Sequence, residues 1–171
     1  LPASVVFMDR WGSQYHEDLD LLERHHMLRA GAVIVADNVL STASPLFLWR
    51  TAGPRGDYTT RLVEVSEFAL GLDDWLCVSV SRCKGRALYP AGQALLPADL
   101  AQLHEEAELL RERALGPGRS MATGERVAFT KRARGRLAAV GLEAGADART
   151  QRRGAQAPEG DMRVARQVGM A

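Results

Sequence analysis

Three residues near the N-terminus carry oxygen donors at places where a fold could bring them together: Asp9, Asp37 and Asn38. Asp9 closes the apolar run Val5-Val6-Phe7-Met8, and Asp37-Asn38 closes a second one, Val33-Ile34-Val35-Ala36. A short β-branched run that stops at a carboxylate reads as a buried parallel strand delivering an acid to the carboxyl edge of a sheet. Open α/β sheets bind their ligands at that edge. Two carboxylates and an amide oxygen are hard donors, suited to Mg²⁺ with water or substrate oxygens completing an octahedron. The same residues would also serve as polar strand ends or helix caps. Only their convergence separates the two readings.

For the donors to meet, a crossover must join the strands. Gln14 to Leu28 has that pattern, with Leu19, Leu22, His26 and the Met27/Leu28 pair on one helical face. Gly31 follows as a left-handed C-cap, and Ala32 to Asp37 form the second strand. Ser44-Pro45 supplies the N-cap and first position of a helix through about Arg50. Tyr58 to Phe68 and Trp75 to Val80 then read as two antiparallel strands. This order predicts an α/β fold, the closing half of a doubly wound sheet. Beyond Arg82, Leu100, Leu103, Ala107, Leu110 and Ala114 recur at helical spacing, after Pro97 and the capping candidate Asp99 and before Gly116-Pro117-Gly118. Residues 119–171 hold few large apolar residues and much Arg, Gly, Ala and Gln, a composition that predicts disorder. The expected division is 1–82 for the sheet, 83–118 for an amphipathic helical segment and 119–171 for an Arg/Ala/Gly-rich tail.

Residues 4–50, SVVFMDRWGSQYHEDLDLLERHHMLRAGAVIVADNVLSTASPLFLWR, resemble the C-terminal half of the catechol O-methyltransferase family. The shared pattern is a strand ending in Asp, a Trp two residues on and a Tyr four beyond it. A Leu-rich helix, a Leu-Arg-x-Gly turn, a strand ending in Ala-Asp-Asn-Val and a Pro-containing helix start follow. The likeness continues more loosely through Tyr58-Thr59-Thr60 and Ser66-Glu67-Phe68 to about residue 80, roughly half of the chain. It implies a Rossmann-like methyltransferase fold and transfer of a methyl group from S-adenosyl-L-methionine to one hydroxyl of a catechol or phenol, with Mg²⁺. Carried over residue by residue, it implies Asp9, Asp37 and Asn38 as metal ligands, and Asp9, Asn38 and Glu67 as substrate contacts. Asp9 and Trp11 would contact the cofactor, Trp11 by packing on the adenine. The family's general base is a lysine directly after the tryptophan. Here that position is Gly12, while Trp11 and Tyr15 keep the family spacing, so no catalytic base carries over. The family's glycine-rich cofactor loop belongs to an N-terminal half. This chain, starting Leu1-Pro2-Ala3, reads as the middle of a longer protein that is inactive without that half.

From the residues alone, Trp11 also suits a core position and Glu67 a solvated strand end. His16, His25 and His26 match no zinc spacing and read as surface or capping residues. A chain of 171 residues can hold one domain with a core, and no apolar run approaches a membrane span. Two cysteines, Cys77 and Cys83, make neither a disulfide framework nor a zinc site, so a cytoplasmic location is expected. The net charge of +1 hides an asymmetry: 11 basic against 16 acidic residues through Gly118, then 11 against 5. Lys84 and Lys131 are the only lysines; with so much Ala and Gly, this fits biased base composition as readily as a nucleic-acid surface, and nucleic acid is not an expected partner. Two other function classes stay open. Gly12 argues for an inactive methyltransferase relative that keeps the fold as a binding module. The charge asymmetry alone argues for an RNA or anionic-surface binder acting through the basic tail.

Overall fold

The computed structural model describes residues 1–54, 57–67, 72–82, 95–116 and 122–145. The two apolar runs become parallel strands, β1 (Ala3–Met8) and β2 (Leu28–Ala36), paired from Val5↔Val33 to Met8↔Ala36. β3 (Tyr58–Glu67) and β4 (Leu72–Ser81) pair antiparallel along their whole length, from Tyr58↔Ser81 to Glu67↔Leu72. β4 also runs antiparallel to β2, so the sheet order is β1-β2-β4-β3. This is a mixed α/β sheet of the Rossmann-like kind that the sequence predicts. β1 is the edge strand among the described residues, and Val5 and Phe7 remain 64% and 61% exposed.

The crossover is shorter than its periodicity suggests. A single 3-10 turn (Gly12–Gln14) leads into α1 (Tyr15–Arg24), which stops four residues before Leu28. His26 takes a left-handed conformation, φ 52°. Its N–H donates to the Glu23 carbonyl at 3.0 Å, and the Met27 N–H to the Leu22 carbonyl at 2.8 Å. Those two bonds are a Schellman closure with histidine where glycine is usual. His26 and Met27 are therefore exposed rather than on the inner face, and Leu28 opens β2. Gly31 is not the cap. It lies inside β2 with φ 75°, where the register to β1 shifts between Ala3 and Val5. A Cβ there would meet nothing within 4 Å, so backbone conformation rather than space favours glycine.

α2 (Pro45–Ala52) begins as expected, with proline in its first turn and the Ser44 carbonyl accepting the Leu48 N–H at 2.8 Å. α3 (Ala98–Leu115) follows β4 and buries Leu100, Leu103 and Ala107; its N-cap is Pro97, and Asp99 sits in the first turn instead. The expected disorder of 119–171 does not hold for 122–145. There α4 (Thr123–Ala139) delivers Phe129, Ala133 and Leu137 into the same core as Ile34, Phe47, Trp75 and Leu103. Residues 146–171 lie outside the described residues. Much of the basic charge of α4 is spent within the fold: Arg134 pairs with Glu64, and Arg136 with Asp99 and Glu106. Arg134 also lies over the Trp75 ring, 5.5 Å from its centroid. No helix among the described residues is long and apolar enough to cross a membrane.

At the amino end of the sheet a charged cluster ties α1, α2 and β3 together. Arg50 donates to Asp20 and to Glu23, and the Tyr58 hydroxyl donates to the other Glu23 oxygen. Burial pushes the Glu23 carboxyl above its ordinary range, while Tyr58 and Arg50 pull it back. Where α1 meets α3, the rings of His16 and His104 pack edge to face with centroids 5.0 Å apart. His16 is thus a packed residue, its Nδ1 3.0 Å from the Ser13 carbonyl, and not a surface one.

If α4 is part of the core, Phe129→Ala should cost about 3–5 kcal/mol in a denaturant titration. A shift near zero would mean that the helix is only loosely attached. A second expectation concerns pH. Burial, and next His16, lower the His104 pKa from 6.5, against the opposing pull of Glu108, Glu17 and Glu105. The unfolded chain then binds a proton that the folded chain does not. The contribution of His104 is complete above the ordinary value and drains as pH falls below it. The urea midpoint should decline below about pH 6.5 in the parent, and His104→Gln should flatten that decline.

Candidate functional site

β1 and β2 end level, at Met8 and Ala36, and the next residue of each is an aspartate. The Asp37 N–H donates to the Met8 carbonyl at 2.9 Å, carrying the ladder one step past the strands. Asp9 and Asp37 therefore stand side by side at the carboxyl edge. Asn38 follows in a left-handed conformation, φ 54°, that turns the chain away from the sheet. Asn and Asp tolerate this region because their short side chains can bond locally. Here the Asn38 N–H donates to Asp37 Oδ1 at 2.8 Å.

Two residues that the sequence reading gave no role hold this edge together. Tyr15, fully buried and packed edge to face on Phe47 at 5.8 Å, places its hydroxyl between the two strand ends. That hydroxyl accepts the Arg10 N–H and shares its proton between the Arg10 and Asp37 carbonyls, each contact 3.0 Å. Its pKa is pushed up to about 12, first by burial and then by the negative charges of Asp9, Asp37 and Asp74, against the backbone bond to Arg10. It stays a neutral donor, and three carboxylates lie close enough to act on it. Asp74 is the second such residue, wholly buried at the start of β4. Its Oδ1 accepts the N–H groups of Leu40, Ser41 and Trp75 at 3.0, 3.0 and 2.7 Å, and its Oδ2 accepts Asn38 Nδ2 at 3.2 Å.

Among the described residues, no three His, Cys, Asp or Glu side chains gather closely enough to hold a metal ion by themselves. Any cation at this edge would depend on the Asn38 amide as third donor beside Asp9 and Asp37. The chemistry of that set, two carboxylates and an amide oxygen in a locally negative surround, fits a hard dication. A cleft of about 450 Å³ also opens between β1 and α1, lined by Phe7, Met8, Asp9, Leu21, Leu22 and Met27 among others.

No protein-family model matches the chain. Over a short stretch it is similar to catechol O-methyltransferases. It is 43% identical over 49 residues to the Sus scrofa protein, a stretch covering 29% of this chain and 26% of that relative. It is 46% identical over 44 residues to those of Bos taurus and Mus musculus, 26% of this chain in each case and 16% and 17% of the relatives. The chain thus spans about a quarter or less of the length of the curated relatives it matches. This is a methyltransferase-like similarity at a coarse level.

The remaining carried-over positions lie around the same edge. Trp11 is half-buried in the turn after Asp9, its carbonyl accepting the Gln14 N–H at 3.0 Å. Glu67 closes β3 opposite Leu72, on the side toward which β1 and β2 also run but five residues past Leu62, the β3 residue level with Ala36; Phe68 lies outside the described residues. Gly12 is buried against the turn that follows Asn38. Its N–H donates to Thr42 Oγ1 at 3.2 Å, and that hydroxyl donates to the Asn38 carbonyl at 2.6 Å. A Cβ on Gly12 would lie 2.2 Å from Ser44 Oγ and 2.3 Å from Thr42 Oγ1. Position 12 has no room for a lysine as the turn now stands. Gly12→Ala should therefore destabilise the fold by about 1–3 kcal/mol of overpacking. Ser44→Ala in the same chain should return part of that loss, because it removes the nearest clashing atom. Additive effects of the two changes in a denaturant double-mutant cycle would mean that the turn relaxes elsewhere.

Proposed function

We propose that this chain is the substrate- and metal-binding part of an enzyme that transfers a methyl group from S-adenosyl-L-methionine to a hydroxyl of a catechol or phenol. One observation carries the reading. Asp9 stands beside Asp37-Asn38 at the carboxyl edge of a parallel pair, in a chain with local similarity to catechol O-methyltransferases. Asp9, Asp37 and Asn38 would hold Mg²⁺. When bound, the ion would supply positive charge favouring the ionised form of a neighbouring hydroxyl, and the cofactor would supply the methyl group.

The chain's own part is positioning. Tyr15 fixes the spacing of the two strand ends through one hydroxyl. The left-handed Asn38 directs the chain out of the sheet, and Thr42 braces its carbonyl. Asp9 follows β1 beside Asp37 and lines the apolar cleft, a placement that supports a double role toward metal and cofactor. Glu67, at the end of β3, is the candidate contact to the second hydroxyl of the substrate. Such alignment of reactants can supply several kcal/mol of the barrier, up to about 7–11 in the best-oriented cases. Position 12 contributes no base. A missing general base typically costs about 10²- to 10⁴-fold.

That steric closure of position 12 favours a second reading, an inactive relative that keeps the edge for binding alone. The test is methyl transfer from labelled S-adenosyl-L-methionine to catechol, by the protein that carries this chain, with and without Mg²⁺. Asp37→Ala should lower the Mg²⁺-dependent rate by more than the roughly 10- to 100-fold typical of losing an outer-sphere partner, with the thermal midpoint little changed. Equal Mg²⁺-dependent rates in mutant and parent would overturn the metal assignment. A folded parent that binds the cofactor and transfers nothing would favour the second reading.

A further inference from the structure

A carboxylate buried as deeply as Asp74 would ordinarily be matched by a cation. Its partners among the described residues are instead all amides: the backbone N–H groups of Leu40, Ser41 and Trp75, and the side chain of Asn38. Three backbone donors on one oxygen already make a turn anchor, because hydrogen bonds to an ionised carboxylate are the stronger kind. The fourth bond, from Asn38 Nδ2 to Oδ2 at 3.2 Å, does something different. A carboxylate offers only acceptors, so the end of the Asn38 amide that faces it must be the NH₂ end. The oxygen end is thereby turned away from Asp74. An NH₂ group cannot serve as a donor atom to a cation, so the direction of the amide decides whether position 38 can act as a ligand.

We infer that Asp74 is a positioning residue for the carboxyl edge. It pins the turn from Asn38 to Ser41 and sets the flip of the Asn38 amide, so that the oxygen and not the nitrogen is presented as a ligand. The ligand half of this inference rests on the proposed Mg²⁺ site; the flip itself does not. Asp74 acts only through Asn38 and touches neither metal nor substrate. It can do so because β4 is reversed. Cys77 pairs with Ala36, which places Asp74 three residues beyond the level of the last β2 residue, next to the turn it anchors.

The experiment compares the parent with Asp74→Asn and with the exchange Asn38→Asp/Asp74→Asn, using Mn²⁺ as probe and free Mn²⁺ followed by its electron spin resonance signal. NMR of the Asn38 side-chain NH₂ and of the Leu40 and Ser41 amides reports the geometry, and the amide of Cys77, which lies between β2 and β3 in the sheet, reports the fold. Asp74→Asn should weaken Mn²⁺ binding about 10- to 100-fold and speed exchange at Leu40 and Ser41, with Cys77 unchanged. The exchange variant restores a donor facing an acceptor and keeps an oxygen at position 38, so it should recover affinity to within a few-fold, about the parental value. Parental Mn²⁺ affinity and amide exchange in Asp74→Asn would overturn the inference. Should the single variant fail to fold, the exchange variant decides: folded with near-parental affinity supports the inference, and unfolded or still weak overturns it. A parent that binds no Mn²⁺ removes the proposed metal site and the ligand half of the inference. The flip is then judged by whether the Asn38 NH₂ resonances, slow to exchange in the parent, move and exchange faster in Asp74→Asn; unchanged resonances would overturn it.

Discussion

Two parallel strands that end level put whatever follows them side by side, and the carboxyl edge of this sheet depends on that one register. Met8 faces Ala36, the Asp37 N–H reaches the Met8 carbonyl, and the Tyr15 hydroxyl bridges the residue after Asp9 to Asp37. A slip of one residue would send the apolar side chains of β1 to the other face and part the aspartates along the strand axis. The reversed β4 completes the arrangement. An antiparallel strand starts where its parallel neighbours stop, so Asp74 and Trp75 arrive at the edge that β1 and β2 leave. The Trp75 carbonyl accepts the Val39 N–H at 3.1 Å, and Asp74 takes the amides on either side of Leu40's position in the turn.

The two ends of the sheet neutralise their buried charge by different means. At the amino end, Glu23 meets a guanidinium and a phenol, so charge is balanced by charge. Such a cluster favours a single arrangement because an unpaired ion there would be costly to leave buried. At the carboxyl edge, Asp74 is satisfied by amide dipoles, which stabilise a carboxylate without cancelling its charge. Arg10, the basic residue next to Asp9, is drawn instead to Asp18 at 2.8 Å. An edge built in this way keeps negative potential where a cation could use it, which is the physical support for reading Asp9, Asp37 and Asn38 as ligands.

The strands and their terminal carboxylates were legible because each signal is local: a β-branched run, then an acid. What escaped the sequence depends on contacts distant along the chain. Asp74 lies in Leu72-Asp73-Asp74-Trp75, where a second consecutive acid reads as a polar strand entry; its burial follows from the turn at Leu40 and Ser41, more than thirty residues away. Tyr15 reads in the sequence only as a spacing mark, though its hydroxyl is the tie between the strand ends. His26 ends α1 in a conformation for which glycine is the usual signal, so in the sequence the nearby Gly31 reads as the cap. α4 gives little sequence signal because its buried face is Phe129, Thr130, Ala133 and Leu137, with only two large apolar side chains, set among arginines and a mid-helix Gly135. Few large apolar residues lowered the hydrophobic signal, yet their four-residue spacing was enough once α3 offered a surface.

Gly12 is where the two functional readings part, for a reason of volume. The space beside its α-carbon is filled by the hydroxyls of Thr42 and Ser44. Thr42 uses its hydroxyl twice, accepting from Gly12 and donating to the carbonyl of Asn38. Ser44 Oγ, equally close, is buried and has no hydrogen-bond partner among the described residues. The same small volume can hold either a side chain at position 12 or the bracing of the Asn38 turn, and this chain holds the bracing. For a catalyst, that choice forgoes a nearby base and leans on whatever favours the ionised hydroxyl, which makes the orientation of Asn38 more important. For a binding protein, the same bracing keeps the edge rigid and nothing is forgone.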